Sequence, residues 1–153
     1  LKALLDDRID ILTTDHAPHT LEEKEQPYFQ SMSGAPMVQH SLNCMLEFYK
    51  QDLISLEKIV EKMCHNPAIL YKMTKRGFIR EGYFADLTLV DLNSKWTVTK
   101  DNLLYKCGWS PLEGTTFLTA IKQTFVNGNL VYDNGRFNET IKGMEITITT
   151  QSN

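Results

Sequence analysis

Apolar and polar positions change their period several times along the chain. "IDILTT" (Ile9 to Thr14) is a β-branched run with no helical period, bounded by charge, and it predicts a buried strand. A polar stretch follows from His16 to Gly34, in which Glu22, Glu23, Lys24 and Glu25 predict a solvated turn. Val38, Leu42, Met45, Leu46 and Tyr49 then recur at spacings of three and four, which predicts a helix over 38–51. Ser55 suits the cap of a second helix, with Leu56, Ile59, Val60 and Met63 on its buried face. Asn66-Pro67 predicts a restart, with Asn as the cap and Pro in the first turn of a third helix. That helix runs through Met73 and is expected to stop near Gly77.

After Gly77 the pattern turns to strands. "ADLTLVDL" (Ala85 to Leu92) and "WTVT" (Trp96 to Thr99) predict two of them. "IKQTFVNGNLVYDNGRF" (Ile121 to Phe137) predicts a hairpin, because Asn127-Gly128 sits between apolar runs and type I′ turns need positive φ at both central residues. Glu145 to Thr150 reads as a last strand or a fraying tail. The order is strand, loop, three helices and a small β unit, with no internal repeat.

A length of 153 residues, 42% hydrophobic and 23% charged, fits one domain with its own core. The net charge of −3 gives no basic footprint for nucleic acid. No apolar run is long enough to span a membrane, and no signal peptide opens the chain. Cys44, Cys64 and Cys107 are widely spaced and form no C-x-x-C pair, which points to reduced core thiols in a cytoplasmic protein. The chain opens at Leu1 and runs almost at once into the apolar stretch, so it reads as the tail of a longer polypeptide.

The chemistry lies in "TTDHAPHT". A strand ending in Asp15 puts a carboxylate at its C-terminal tip, the face on which α/β barrels build active sites. Pro18 disfavours helix at Ala17, so a loop is expected to carry His19 toward the same pocket. An acid and an imidazole together there suit metal binding, proton transfer or an anionic substrate. An isolated D-x-x-x-H is more often a turn acid with loop histidines. His16 is a candidate to line the pocket, not to ligate. His40 reads as a hydrogen-bonded or surface helix residue, and His65 as a partner of a helix end. The methionines and both tryptophans read as packing residues, and Lys24 as a surface or loop-tethering charge.

"TTDHAPHTLEEKE" resembles the segment at the eighth barrel strand of dihydroorotases, in the amidohydrolase superfamily. Asn66 to Asn93 resembles the end of that barrel and the return into a small β-sandwich, and Ser110 to Tyr132 the closing stretch. The resemblance implies an α/β fold: the C-terminal part of a TIM-type (β/α)8 barrel, last strand plus helices, over 1–76, then part of a small β-sandwich over 77–153. It implies zinc-dependent, reversible interconversion of N-carbamoyl-L-aspartate and dihydroorotate in pyrimidine biosynthesis, within a homodimer. It places Asp15 as metal ligand and general base. His19 matches the contact to the substrate carboxylate, and Ala17, Gly34 and Pro36 help to seat the substrate. Where the family often has glycine and glutamate after its Gly-x-Pro, this chain has Met37 and Gln39.

The family's His-x-His, bridging carboxylated lysine and further histidines have no counterpart here, where the histidines are His16, His19, His40 and His65. One or two zinc ions would therefore draw their remaining ligands from outside this chain, and the chain alone is expected to be inactive and prone to association. Two other readings stand beside this one. The first is a sister cyclic amidohydrolase of the allantoinase or dihydropyrimidinase/hydantoinase type, which usually lacks the second histidine. The other is a non-catalytic dihydroorotase-like scaffold subunit.

Overall fold

In the computed structural model, which describes residues 1–149, the elements run as follows. Helices α1 (Lys2–Leu5), α2 (Leu21–Lys24), α3 (Ser41–Lys50) and α4 (Leu56–Val60) lead into a π-helical turn (Glu61–His65) and α5 (Asn66–Leu70). Strands β1 (Leu87–Asp91) and β2 (Trp96–Thr97), a 3-10 turn (Lys100–Asn102), and β3 (Thr116–Phe117), β4 (Ala120–Val126), β5 (Asn129–Asp133) and β6 (Arg136–Phe137) follow. No helix among the described residues is long and apolar enough to cross a membrane. The chain forms two compact units.

The first unit holds Leu1–Leu12, Gln51–Asp91 and the described part of Ile121–Asn153. The strand expected over 9–14 is not formed among the described residues. A β-branched run needs a neighbouring strand for its ladder, and this one is tied to a helix instead. The Leu12 N–H donates to the Lys62 carbonyl at 3.0 Å. Lys62 Nζ donates to the Ile9 carbonyl at 2.7 Å, and Asn66 Nδ2 to that of Asp10 at 2.8 Å. Ile9 stays exposed, not buried.

Ser55 caps α4 as its sequence suggests, accepting the Lys58 N–H, and Ile59 is buried while Val60 faces solvent. The expected restart at Asn66 does not occur. Asn66 is helical (φ −62°, ψ −41°), and its N–H reaches back to Glu61 O through the π turn. Proline has no N–H and crowds the carbonyl four residues back. The wider turn just before Pro67 lets the helix continue past it. His65 therefore sits inside a continuous helix, stacked on Phe78 at 4.3 Å, and not at a helix end. The helix ends at Leu70 with Tyr71 as its cap, short of the Met73 and Gly77 expected, and Gly77 lies in the connection that follows, at φ +78°.

The sheet runs in the order β1-β4-β5-β6. Asn127-Gly128 turns β4 into β5 with φ of 52° and 80°, as the hairpin signal requires. Asn134-Gly135 (φ 45° and 90°) repeats the device before β6. Arg76 is buried under this sheet's turn, held by the Asp86 carboxylate and by Asn127 Oδ1 at 2.8 Å, with its guanidinium over Phe84. In the 145–149 stretch the described residues form only an isolated bridge between Ile148 and Met73, and Thr150 lies outside them.

The second unit holds Thr13–Lys50 and Leu92–Ala120. The turn expected at 22–25 is one turn of helix, α2. Thr20 and Glu23 form a reciprocal capping box around it. On α3 the buried residues are Asn43, Met45 and Leu46, and Val38 is exposed before the helix begins. Asn43 Nδ2 donates to the Thr119 carbonyl at 2.9 Å, and so does Trp96 Nε1 at 2.9 Å. β2 pairs antiparallel with β3 through Trp96 and Phe117. His40 is fully buried against Trp96, Tyr105 and Phe117, and desolvation lowers its pKa. Among the methionines only Met45 is in the core. The thiols are free, with Cys64 exposed and Cys44 and Cys107 half-buried, so they are not the core residues expected.

An acid sensitivity follows from the first unit. Lys62 is 2% exposed, and its ammonium pairs with Asp7 at 2.9 Å; Lys58 bridges Asp7 and Glu61, each at 2.9 Å. The lysine hydrogen bonds hold both carboxyls below their ordinary values of 3.8 and 4.5. A folded pKa below the unfolded one adds stability above the unfolded value, and that stability is lost as pH falls through the folded value. Urea unfolding midpoints are expected to drop as pH falls below the ordinary carboxylate range, and the drop should be smaller in Asp7→Asn.

Candidate functional site

The site is the loop Asp15–His19 and the segment that carries it, Gly34–Val38, both within the second unit. Asp15 has φ +45°, in the left-handed region that Asp and Asn tolerate best among residues with side chains. Its carboxylate is exposed and has no hydrogen-bond partner among the described residues. Sparsely populated backbone with an uncommitted charged group is the combination that functional loops retain.

Behind Asp15 the loop is tied down residue by residue. His16 pairs with Ala35 in a parallel bridge, and the Ala17 N–H donates to the Ala35 carbonyl at 3.1 Å. His16 Nδ1 accepts the N–H groups of Met37 at 3.1 Å and Val38 at 3.3 Å. That nitrogen is thereby used as an acceptor, which makes His16 a structural residue of the loop. Gly34, at φ +93°, lies so close to Ala17 that a Cβ there would come within 2.5 Å of the Ala17 Cβ. Pro36 is fully buried beneath. Ala17 and Gly34 are thus brought together, with Pro36 buried behind them. Lys24 is a tether: its Nζ donates to the carbonyls of Met32 at 2.5 Å and Gly34 at 3.0 Å.

His19 closes the loop. Its N–H donates to the Ala17 carbonyl at 3.0 Å, and its Nδ1 stands 3.5 Å from Glu23 Oε2. The Thr20 N–H, and then the Thr20 hydroxyl, hold the Glu23 carboxyl below its usual range. Nδ1 thus faces the Glu23 carboxylate, and an imidazole can donate an N–H to an anion. No hydrogen bond joins Asp15 and His19.

Two residues of this neighbourhood carry no sequence signal for the site. Trp109 Nε1 donates to the His19 carbonyl at 2.8 Å, and the Tyr105 ring lies 5.3 Å from that of His16. Nothing local could reveal partners some ninety positions away. The described residues include no group of three or more His, Cys, Asp or Glu side chains placed to hold a metal ion. Asp15 offers one donor, and the imidazoles beside it are engaged as just described. A catalytic zinc takes about three protein ligands, so the residues present do not by themselves fit one.

The loop presents one acid and one imidazole from an α/β framework. The Amidohydrolase family model matches residues 1–131, and the chain belongs to that family. The dihydroorotase of Pyrococcus furiosus is 36% identical over 127 residues, 83% of this chain and 30% of its own length. That of Geobacter metallireducens is 35% identical over 131 residues, 86% of this chain and 31% of its own. The chain therefore spans about 30% of the length of these curated relatives. Among solved structures, the L-hydantoinase (dihydropyrimidinase) from Arthrobacter aurescens superposes with a TM-score of 0.85 at 29% identity, covering 95% of this chain and 34% of that one. A D-hydantoinase from a Thermus species gives 0.83 at 21% identity over 90% of this chain and 31% of its own, a likeness of fold. The chain carries part of the amidohydrolase fold, of TIM-barrel type.

Proposed function

We propose that the protein containing this chain is a dihydroorotase, opening and closing the ring between dihydroorotate and N-carbamoyl-L-aspartate. The observation that carries the reading is the Asp15–His19 loop. Its acid is exposed and uncommitted, and its imidazole is braced at one nitrogen by Glu23. Residues 1–76 would form the end of the barrel and 77–153 the C-terminal segment of the small β-sandwich.

In this reading Asp15 is the general base. It takes a proton from the water that attacks the ring carbonyl and returns it to the ring nitrogen as the C–N bond breaks. His19 donates to the substrate carboxylate, and the backbone of Ala17 and of Gly34–Pro36 seats the ring. Zinc, one or two ions, enters the proposal only through Asp15 as a single ligand, the others lying outside this chain. The 153-residue chain alone is expected not to open the ring. A soluble, cytoplasmic homodimer completes the proposal.

The 29% identity and high structural overlap with the hydantoinase from Arthrobacter aurescens favour a sister cyclic amidohydrolase as the second reading. Names of the sequence relatives and the presence of His19 favour the first. The test is ring opening by the full-length polypeptide, with dihydroorotate, hydantoin and allantoin assayed side by side. Turnover of dihydroorotate is expected. Turnover confined to hydantoin or allantoin would move the assignment to the sister enzymes.

A further inference from the structure

We propose that Trp109 is a positioning residue for substrate recognition: its indole N–H fixes the backbone of His19 and thereby aims the imidazole at an anionic group of the substrate. The inference rests on the reading of His19 as the carboxylate contact.

The peptide that leaves His19 is held at both ends. Its carbonyl accepts Trp109 Nε1 at 2.8 Å, and its N–H, on Thr20, donates to Glu23 Oε2 at 2.8 Å. The peptide that enters His19 donates to Ala17 O at 3.0 Å. With both flanking peptides fixed, the Cα–Cβ bond of His19 is set and the Nδ1 contact with Glu23 Oε2 at 3.5 Å orients the ring, and preorganisation of this kind lowers the cost of binding.

Trp109 is itself rigidly placed. A turn precedes it, with the Gly108 N–H on Tyr105 O at 3.1 Å and Gly108 at φ +71°. A second turn follows, in which the Ser110 N–H donates to Glu113 Oε1 at 3.2 Å and the Leu112 N–H to Ser110 Oγ at 3.2 Å. Upstream, Gln39 uses both ends of its amide on this segment, donating to Asn102 O at 2.8 Å and accepting from the Leu104 N–H at 2.8 Å. A glutamate at 39 would lack the donor. The Tyr105 hydroxyl accepts the Gln39 N–H at 3.0 Å. The segment 102–109 is therefore stitched to the start of α3 and clamps the loop at His16 and His19. An indole used only for packing would need some partner for its N–H; this one takes the carbonyl of the residue that faces the substrate.

The test uses the full-length polypeptide and two probes, dihydroorotate as substrate and dihydrouracil, the same ring without the carboxylate, as competitor. Trp109→Phe deletes the donor and keeps an aromatic ring. It is expected to raise KM for dihydroorotate about 3- to 10-fold, the worth of one hydrogen bond, with kcat and the Ki of dihydrouracil within about two-fold. In a His19→Ala background the same substitution is expected to add nothing. Equal losses on both probes, or no change in KM, would overturn the positioning role. If Trp109→Phe does not fold, β-(3-benzothienyl)alanine at position 109 removes only the N–H and gives the same readout. His19→Ala separates the two failures. If it leaves KM for dihydroorotate unchanged, the reading of His19 falls. If it raises KM while Trp109→Phe does not, only the role of Trp109 falls.

Discussion

Replacing Asp15 with Asn in the full-length polypeptide is expected to lower kcat by about 10²- to 10⁴-fold, the contribution of a general base. Loss of a metal ligand would deepen the defect. Folding should not suffer. Asp15 is exposed, its carboxylate makes no hydrogen bond among the described residues, and asparagine tolerates φ +45° as well as aspartate does. The pairing of a large kinetic loss with an unchanged melting temperature is what separates catalysis from structure. It also separates an enzyme from a scaffold, because a scaffold has no use for this carboxylate. Full activity in Asp15→Asn would remove the residue from the mechanism. A cooperative drop in melting temperature matching the loss of rate would make it a structural residue.

The largest stability effect is expected at Gly77. An alanine there meets two obstacles at once. Its backbone sits at φ +78°, where an L side chain costs about 1–2 kcal/mol. Its Cβ would lie 2.3 Å from the Ala68 Cβ and 2.7 Å from the Cys64 carbonyl oxygen. The second is backbone of the helix and cannot rotate away, so overpacking adds about 1–3 kcal/mol. The combined cost of about 2–5 kcal/mol is a large part of what keeps a domain folded. Gly82→Ala is the control, because Gly82 has nearly the same φ of +79° with nothing within 4 Å of an added Cβ. Thermal unfolding of the two variants in the full-length polypeptide isolates the contact. Equal destabilisation by both would mean that the close approach of Gly77 to Ala68 and Cys64 carries no cost.

What the sequence announced well was local. Asn127-Gly128 specifies its turn through two residues that accept positive φ, and Ser55 specifies a cap through one side chain and one N–H. What it announced poorly depended on distant partners. Ile9 to Thr14 has strand composition, but a ladder is made by a neighbour, and the described neighbour is the carbonyl and ammonium of Lys62. Asn66-Pro67 carries a start signal that the π turn overrides, since the wider turn accommodates the proline and α4 runs on into α5. Glu22 to Glu25 read as a solvated turn because of their charge, and the reciprocal capping box of Thr20 and Glu23 emerges only in the structure.

The site divides in the same way. The Asp15–His19 spacing was visible, and the resemblance gave each residue a candidate role. Gly34 was visible only through the resemblance; the structure gives the physical reason, its approach to Ala17. His16 neighbours the acid and is a candidate to line the pocket, not to ligate. Its Nδ1 proves to be occupied by the N–H groups of Met37 and Val38. Tyr105 and Trp109 lie far along the chain from the loop they hold, where no periodicity links them to it.

On the proposed function, this loop serves a ring bearing a carboxylate. The most direct measurement is kcat/KM for dihydroorotate against dihydrouracil, with the full-length polypeptide supplied with zinc. The two rings differ only in that group. Strong preference for dihydroorotate, lost by about 10- to 100-fold in His19→Ala as a charge-assisted hydrogen bond disappears, is the expected result. Equal or better turnover of dihydrouracil by the unaltered protein would contradict it.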